Sequence, residues 1–280
     1  MLLNSHPEIL DLVRRALEED IGPGDITSQL CIPAHLVANG KFIARERLVI
    51  AGLDLLPLIY EQRGGVDAIE LLRRDGELIQ PNEVVAAVTG KARTLLECER
   101  VALNFLQRLS GVATLARAFV DRVSETECRI LDTRKTTPGL RRLEKMAARA
   151  GGVKNHRMGL FDAVLIKNNH ITAAGGVKKA IENVKREAPE IALEVEVRTR
   201  EELMEAMAAG ATHLLIDNLS PEEAADWVRT VAGRAAIEIS GGVTLENVLS
   251  YARTGANYVS AGALTHSARA MDLSFRLQLK

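Results

Sequence analysis

Short apolar runs and amphipathic stretches alternate along the second half of the chain. From about residue 129, six β-rich runs each precede a polar or glycine-bearing turn and then a stretch with helical periodicity. The runs cover residues 130–131, 163–166, 192–197, 213–216, 236–239 and 258–259. Short, continuously apolar runs of this kind are typical of parallel strands that are buried on both faces. The series predicts an α/β domain, which is either an incomplete barrel or an open sheet, and residues 110–128 or 145–157 could hold a further unit.

The first third of the chain has a mixed pattern. A helix is predicted over residues 5–20, with Ser5 and Glu8 as a capping box, and short apolar runs between residues 40 and 88 predict a small sheet. A second helix is predicted from Leu95 to Leu109, capped by Thr94 and Glu97. We therefore expect a first domain over residues 1–112 and a second over 113–280, with a C-terminal tail helix that could pack back on the first domain.

Composition and charge exclude several classes of function. The 280 residues hold 36 Lys and Arg against 37 Asp and Glu, so the protein has no global field that would attract nucleic acid or an anionic membrane. Aromatic residues make up only 3% of the chain, and no stretch approaches the roughly 20 uncharged apolar residues that span a bilayer. The amino-terminal segment does not have the pattern of a secretory signal, which predicts a cytoplasmic protein. The three cysteines are too widely spaced to indicate a disulfide framework or a zinc site.

Positive charge is concentrated between residues 129 and 167, where ten Lys and Arg stand against three acids. Four of these cations adjoin predicted strand ends, where loops from different strands converge: Arg134, Lys135, Arg157 and Lys167. They could bind an anion with several charges or pair with nearby acids. The cations on the intervening helix are expected to be solvated or paired on its surface: Arg141, Arg142, Lys145 and Arg149.

Two turns with small residues follow the last two predicted strands. They are Ser240-Gly241-Gly242 and Ser260-Ala261-Gly262. Backbone N–H groups in such turns can approach an anion closely, and in barrels the late loops often bind a phosphate group. His266 follows the second turn and is either a further donor or a capping or surface residue.

Two single carboxylates end neighbouring predicted strands, Glu196 and Asp217. They could hold Mg²⁺, bind sugar hydroxyl groups, stabilise a developing cation, or form ion pairs with the nearby lysines and arginines. Spacing alone does not separate these roles.

The chain resembles the quinolinate phosphoribosyltransferase family in a series of motifs that covers nearly its whole length in order. The motifs are GDIT at 24–27, ERVALNFLQRLSG at 99–111, LDTRKTTPGLR at 131–141, NHRMGL at 155–160, LIKNNH at 165–170, EVEV at 194–197, LIDN at 215–218, EISGGV at 238–243 and SAGALTHSA at 260–268. The resemblance implies an N-terminal α/β sandwich domain with a four-stranded sheet and a C-terminal incomplete TIM-like α/β barrel. It also implies a homodimer in which each first domain closes the partner's barrel, although a hexamer stays possible.

The reaction implied by the resemblance is the Mg²⁺-dependent transfer of a phosphoribosyl group from phosphoribosyl pyrophosphate to quinolinate. Decarboxylation then gives nicotinate mononucleotide, pyrophosphate and CO₂ in de novo NAD biosynthesis. The resemblance places Arg134, Lys135, His156, Arg157 and Lys167 around quinolinate, with Arg100 from the other subunit. It places Glu196 and Asp217 toward the ribose and the metal, and Ser240, Gly241, Gly242, Ser260, Gly262 and His266 at the phosphate end. Lys135, Glu196 and Asp217 form the expected catalytic set.

Three other functions stay open on the residues. A paralogue of the same fold with another acceptor is one, and a Schiff-base lyase that uses Lys135 or Lys167 is the second. A binding module without catalysis is the third. One departure from the family pattern is Val153, which stands where many relatives continue a glycine run, and it leaves the conformation of that loop open.

Overall fold

The computed structural model describes residues 6–279 and divides into two compact units. The first unit holds the described residues up to Leu115, Ala150–Gly152 and the residues from Ala268 onward, and the second holds Ala116–Arg149 and Val153–Ser267. In chain order the elements are α1 (Pro7–Ile21), α2 (Ile26–Cys31), β1 (Val37–Ala44), β2 (Leu48–Val49), α3 (Leu55–Glu61), β3 (Ala68–Leu71), β4 (Leu78–Ile79), β5 (Val84–Lys91), α4 (Ala92–Arg122), β6 (Arg129–Leu131), α5 (Arg141–Ala150), β7 (Val164–Ile166), α6 (Asn168–Ala174), α7 (Val177–Glu187), β8 (Leu193–Val197), α8 (Arg200–Ala208), β9 (His213–Asp217), α9 (Pro221–Val231), β10 (Ala236–Ser240), α10 (Val248–Ala252), β11 (Tyr258–Ser260), α11 (Ala263–His266) and β12 (Leu273–Leu279).

The first unit contains a four-stranded antiparallel sheet with the strand order β12-β1-β5-β3. Successive residues of a strand face opposite sides of the sheet, so Ala38 and Phe42 of β1 lie on the same side, and both are buried. β12 pairs with β1 over its whole length, and the Phe42 and Phe275 rings lie 4.9 Å apart across the pair. This sheet confirms the expected α/β architecture of the first domain.

The C-terminal tail corrects the sequence prediction, because it is a strand and not a helix. Its backbone N–H and C=O groups that face β1 pair with that strand, whose Gly40 leaves room for the Phe275 ring: a Cβ at Gly40 would lie 2.0 Å from that ring. The tail does pack on the first unit, but through a sheet ladder. The predicted domain boundary at residue 112 falls inside α4.

The two predicted helix starts also differ from the structure. α4 begins at Ala92, so Thr94 and Glu97 lie within the helix and do not cap it; Glu97 instead accepts from Arg63 at 2.7 Å. Ser5 lies outside the described residues, and α1 begins with Pro7 after His6. Pro fits this position because the first N–H groups of a helix have no intrahelical partner.

The second unit contains six parallel strands in the order β6-β11-β10-β9-β8-β7. All six predicted runs form strands, with bounds within about one residue of those expected. Short helices follow the strands and cover them, which confirms the incomplete barrel. Lys154 forms an isolated parallel bridge with Leu131 on the free side of β6, so the segment before residue 157 contributes a rudimentary further strand.

Val153 precedes that bridge and is buried, and its N–H donates to the carbonyl of Ala148 at 3.1 Å. Among the described residues other than glycine, positive φ angles occur at Asn82, Asn218 and Ala232, so Val153 does not need the backbone freedom of glycine. Within residues 6–279, no helix is both long and apolar enough to cross a membrane.

Candidate active site

A cavity of about 660 Å³ opens at the carboxyl ends of the six parallel strands. Loops from all of these strands converge there because parallel strands end at the same edge. Thirteen of the fourteen residues predicted from the sequence line it: Arg134, Lys135, His156, Arg157, Lys167, Glu196, Asp217, Ser240, Gly241, Gly242, Ser260, Gly262 and His266. The fourteenth, Arg100, is exposed on α4 in the first unit and does not line this cavity.

The loop after β6 carries Arg134 and Lys135 and is fastened to α5. Glu144 is buried on α5 and accepts from the backbone N–H and the hydroxyl of Thr137, at 3.0 and 2.8 Å. Thr265 is also buried and donates to the carbonyl of Lys135 at 2.7 Å. The two cations therefore start from a fixed backbone, which is the condition for binding an anion in one orientation.

Asp132 holds two loops together and was not in the predicted set. It is fully buried and accepts from Lys145 Nζ, from the side chain of Asn155 at 2.6 Å and from the backbone N–H of His156 at 2.7 Å. Lys145 is 1% exposed, so the expectation of a solvated Lys145 was wrong. Helical periodicity places Lys145 on α5 but does not show that the loops cover it, so the sequence held no sufficient signal.

Arg157 enters the cavity beside Arg134. Its pKa is lowered, first by burial and then by the charge of the Arg134 guanidinium. Within its own unit it donates to the carbonyl of Ala163 at 3.2 Å. Two neighbouring guanidinium groups in one cavity repel each other, and an anion with more than one carboxylate relieves that repulsion.

His156 is held from both sides of its ring. Nε2 lies 2.9 Å from a carboxylate oxygen of Glu194 and 3.4 Å from one of Glu238, while Nδ1 accepts from the N–H of Arg157 at 2.8 Å. Burial lowers the pKa of His156, but the two carboxylates outweigh burial and raise it. The Arg157 N–H opposes that rise, because a ring nitrogen that accepts a hydrogen bond carries no proton. We therefore place the ring proton on Nε2 in this arrangement.

Glu194 and Glu238 were missed, although a signal for both was present. Each stands two residues before a predicted site residue on the same strand, Glu196 on β8 and Ser240 on β10. Residues two apart on a strand face the same side, so the alternation alone would have added them. The pKa of Glu194 is raised, first by burial, although its bond to His156 lowers it.

Glu196 is 5% exposed and lies between two cations. Lys167 Nζ is 3.6 Å from one of its oxygens, and Arg198 donates to the other at 3.2 Å. Arg198 was not in the predicted set. In this arrangement Glu196 is an ion-paired carboxylate at the cavity wall.

Asp217 ends β9 and accepts from the side chain of Asn218 at 2.7 Å. The φ angle of Asn218 is 60°, a left-handed conformation that Asn tolerates better than most residues, and its N–H donates to the carbonyl of Ser240 at 3.0 Å. The turn after β9 is thereby tied to the turn after β10. Asn218 was also not predicted.

The two glycine turns lie where the sequence placed them, and close packing explains their glycines. The φ angle of Gly241 is 95°, and a Cβ there would lie 2.2 Å from the Asn218 side-chain oxygen. A Cβ at Gly262 would lie 2.8 Å from Cδ of Lys135 and 3.1 Å from the ring of His266. The side chain of Lys135 therefore packs against the second turn. It connects the glycine turns with the basic wall, the part of the cavity that is lined by Arg134, Arg157 and Lys167.

Two sets of side chains have the donor chemistry for a metal ion. Glu196 and Asp217 offer carboxylate oxygens at the cavity wall, which is the ligand type that Mg²⁺ takes together with substrate phosphates. His156, Glu194 and Glu238 also bring ligand atoms within 4.8 Å of one another. The second set includes an imidazole nitrogen, whereas Mg²⁺ prefers oxygen ligands, so the first set fits Mg²⁺ better.

Comparison with known proteins bears on the whole chain. The family model for the quinolinate phosphoribosyl transferase N-terminal domain matches residues 25–110, and the model for the C-terminal domain matches residues 112–276. The nicotinate-nucleotide pyrophosphorylase [carboxylating] of Mycobacterium leprae is 44% identical over 273 residues, which cover 95% of this chain and 96% of the relative. A probable enzyme of the same name from Bacillus subtilis is 39% identical over 276 residues, covering 98% of this chain and 95% of the relative. The solved structure of the nicotinate-nucleotide pyrophosphorylase from Francisella tularensis superposes with a TM-score of 0.91 at 38% identity, and covers 99% of each chain.

Proposed function

Because the chain belongs to the quinolinate phosphoribosyltransferase family, we propose that its cavity transfers a phosphoribosyl group from phosphoribosyl pyrophosphate to quinolinate and releases CO₂. The enzyme class is that of the carboxylating nicotinate-nucleotide pyrophosphorylases of de novo NAD biosynthesis. One observation carries the assignment of the cavity: it gathers four cations, the carboxylates of Glu196 and Asp217 and two glycine turns from the ends of all six parallel strands and the loop before β7.

The basic wall is the proposed site for quinolinate, which is a dicarboxylate. Arg134, Arg157 and Lys167 supply the positive charge of this wall. An arginine side chain can donate two parallel hydrogen bonds to one carboxylate. The repulsion between Arg134 and Arg157 supports this proposal because it is relieved when the ligand binds. His156 stands at the same wall, with the predicted substrate-binding role.

The glycine turns are the proposed site for the phosphate groups of phosphoribosyl pyrophosphate. Gly241, Gly242 and Gly262 leave backbone N–H groups open to an anion, with Ser240, Ser260 and His266 as further donors. Lys135 runs over Gly262, so it lies where the two substrates meet. We propose that its ammonium group stabilises the negative charge that develops between them.

Glu196 and Asp217 are proposed to face the ribose. As the bond from C1 to pyrophosphate loosens, C1 gains positive charge, and the two carboxylates stabilise that charge. Lys167 and Arg198 must yield Glu196 for this role, which binding of the two anionic substrates favours. Bound Mg²⁺, held by Glu196 and Asp217, would neutralise charge on the leaving pyrophosphate.

The bonds of the overall reaction balance without a further cofactor. The pyridine nitrogen forms a bond to C1 while the bond to pyrophosphate breaks. The ring nitrogen is then positively charged and stabilises the electron pair that stays on C2 when the 2-carboxylate leaves as CO₂, and this pair then takes up a proton. The protein's own contribution is to position both anions and to offset their charge.

Two features of the proposal concern the assembly and the location. We propose a homo-oligomer, a dimer or a hexamer built from dimers, in which Arg100 reaches the quinolinate wall of a partner's cavity. Its exposure on α4, outside the set of residues that line the cavity, supports this. The cytoplasmic location stays a prediction of the sequence.

The test supplies purified protein with phosphoribosyl pyrophosphate and either quinolinate or nicotinate, with Mg²⁺ and with a chelator. Mass spectrometry follows nicotinate mononucleotide and CO₂. We expect both products with quinolinate and Mg²⁺ only. Product from nicotinate alone would assign another acceptor, and turnover that persists in the chelator would overturn the Mg²⁺ dependence.

A further inference from the structure

Glu194 and Glu238 are acidic residues beside a site for an anion, and the proposed reaction gives them no task. Glu238 is 4% exposed on β10, and Glu194 is largely buried on β8. Carboxylates next to the binding site of a dicarboxylate repel the ligand, and buried carboxylates cost free energy unless they are paired. Their presence therefore needs a partner that offsets both effects.

That partner is the imidazole of His156. The two glutamates come from strands that β9 separates, and both lie against the same ring nitrogen, at 2.9 and 3.4 Å. The ring thus ties two strands of the sheet to the loop of residues 154–157. One hydrogen bond at Nε2 leaves the ring free to pivot, but a second acceptor at the same nitrogen, from another strand, narrows its orientation.

The other ring nitrogen, Nδ1, links the orientation of the ring to the backbone of the next residue. Nδ1 accepts from the N–H of Arg157, the next residue, at 2.8 Å. The N–H of His156 itself is held by Asp132 at 2.7 Å. The carbonyl of His156 accepts from Lys145 Nζ at 3.3 Å. The peptide group between His156 and Arg157 is therefore held at both its C=O and its N–H, and this peptide sets the direction in which the Arg157 side chain leaves the backbone.

We propose that Glu194 and Glu238 are positioning residues for quinolinate binding: by holding His156 they fix the Arg157 backbone and aim its guanidinium at the substrate carboxylate. This inference rests on the proposed function and adds to it the residues that orient one of its cations. Both glutamates act through His156; Glu194 is not among the residues that line the substrate cavity, whereas Glu238 also reaches it.

The surroundings of the ring support this role. A second cavity of about 200 Å³, at the amino ends of the strands, is lined by His156, Arg157, Glu194 and Glu238. The His156–Arg157 segment therefore lies between two cavities, and side chains do not pack against it on the side of the second cavity. A segment of this kind needs hydrogen bonds to keep its conformation, because side-chain packing does not supply the constraint.

The test compares Glu194→Ala with Glu194→Gln in steady-state kinetics with both substrates. Alanine removes the acceptor, so we expect the KM for quinolinate to rise roughly tenfold, as for the loss of one buried hydrogen bond, with the KM for phosphoribosyl pyrophosphate unchanged. Glutamine still accepts from Nε2–H and should restore most of the quinolinate affinity. Glu190→Ala, an exposed glutamate that precedes β8, is the matched control.

The outcomes separate this inference from the proposed function. Absence of quinolinate turnover in the unmodified protein would refute the function itself. Normal turnover in the unmodified protein, with an unchanged quinolinate KM in Glu194→Ala or an equal rise of both KM values, would overturn the positioning role alone. If Glu194→Ala does not fold, the pair Glu238→Ala and Glu238→Gln applies the same comparison from β10, with folding checked by thermal unfolding.

Discussion

Gly241 shows how a single residue combines backbone conformation with close packing. Its φ of 95° is costly for any residue with a Cβ, and that Cβ would lie 2.2 Å from the side chain of Asn218 and 2.7 Å from its backbone nitrogen. Because Asn218 also donates to Asp217, an added methyl group would disturb both the turn and the carboxylate.

We therefore expect Gly241→Ala to lose about 1 to 2 kcal/mol of unfolding free energy and to raise the KM for phosphoribosyl pyrophosphate roughly tenfold or more. The KM for quinolinate should change far less. The matched control is Gly233→Ala, which has a φ of 74° and open space where the added methyl group would lie. It should share the loss of stability and keep the kinetics, and an equal kinetic loss in both variants would contradict the role of the turn.

The buried pair of Lys145 and Asp132 gives a prediction about stability. Both side chains are at most 1% exposed, so removal of the cation alone leaves a carboxylate without its charge partner. We expect Lys145→Met to cost about 3 kcal/mol or more. The double variant Lys145→Met with Asp132→Asn holds no buried charge and should recover part of that loss. Urea unfolding of the four proteins in a double-mutant cycle measures the coupling, and additive losses would show that the pair is not coupled.

At the scale of elements, the parallel strands could be predicted well and the tail could not. The runs before Asp132, Lys167 and Asp217 were short and apolar because both faces of those strands are buried, and this composition is typical of parallel strands. The tail carried a clear alternation at Leu273, Phe275, Leu277 and Leu279, which indicates a strand, but its partner β1 lies more than two hundred residues earlier. Periodicity predicts an element and does not identify a distant partner.

Helix α4 was predicted too short for a related reason. The predicted helix ended at Leu109, whereas Gly111 lies inside α4, where a Cβ would lie 1.9 Å from the carbonyl of Arg269. The glycine therefore permits the tail to approach, and it does not end the helix. The candidate site shows a similar limit: Lys167 and Asp217 at strand ends were predicted as site residues, while Asp132, whose role depends on contacts with Lys145 and Asn155, was not.

The ion pair of Arg269 with Glu46 lies beside the tail strand and makes the attachment of that strand depend on pH. The Arg269 guanidinium hydrogen-bonds Glu46 and holds the pKa of that carboxyl at about 2, below its ordinary value of 4.5. A lowered carboxyl pKa adds stability above the ordinary value, and this contribution is lost as the pH falls toward the lowered one.

Arg269→Met should therefore reduce the unfolding free energy above about pH 4.5, and the difference from the unmodified protein should fade toward about pH 2. Because Arg269 is 68% exposed, we expect less than about 1 kcal/mol. Denaturant unfolding of both proteins across this range measures the difference. A difference that stays constant with pH would show that the substitution acts through packing.

At the scale of the whole molecule, the proposed role of Arg100 in trans predicts complementation. Arg100→Ala and Lys135→Ala chains should each be nearly inactive, because each removes a cation from every shared site. Mixed oligomers contain some sites with both native residues, so the mixture should recover up to about a quarter of the activity, as random pairing into dimers allows. Recovery should appear only after subunit exchange, which differently tagged chains would report. No recovery in proven mixed oligomers would place Arg100 outside the partner's site.

The order in which β1 and β12 are synthesised also affects how the first sheet folds. β1 and β5 leave the ribosome early, whereas β12, which pairs with the edge of β1 that β5 leaves free, follows β1 by more than two hundred residues. Until then the nascent chain presents an open strand edge, which is a template for pairing with other chains. Ribosome pauses between the codons for β1 and those for β12 lengthen this interval, so the yield of folded protein should depend on how quickly that stretch is translated.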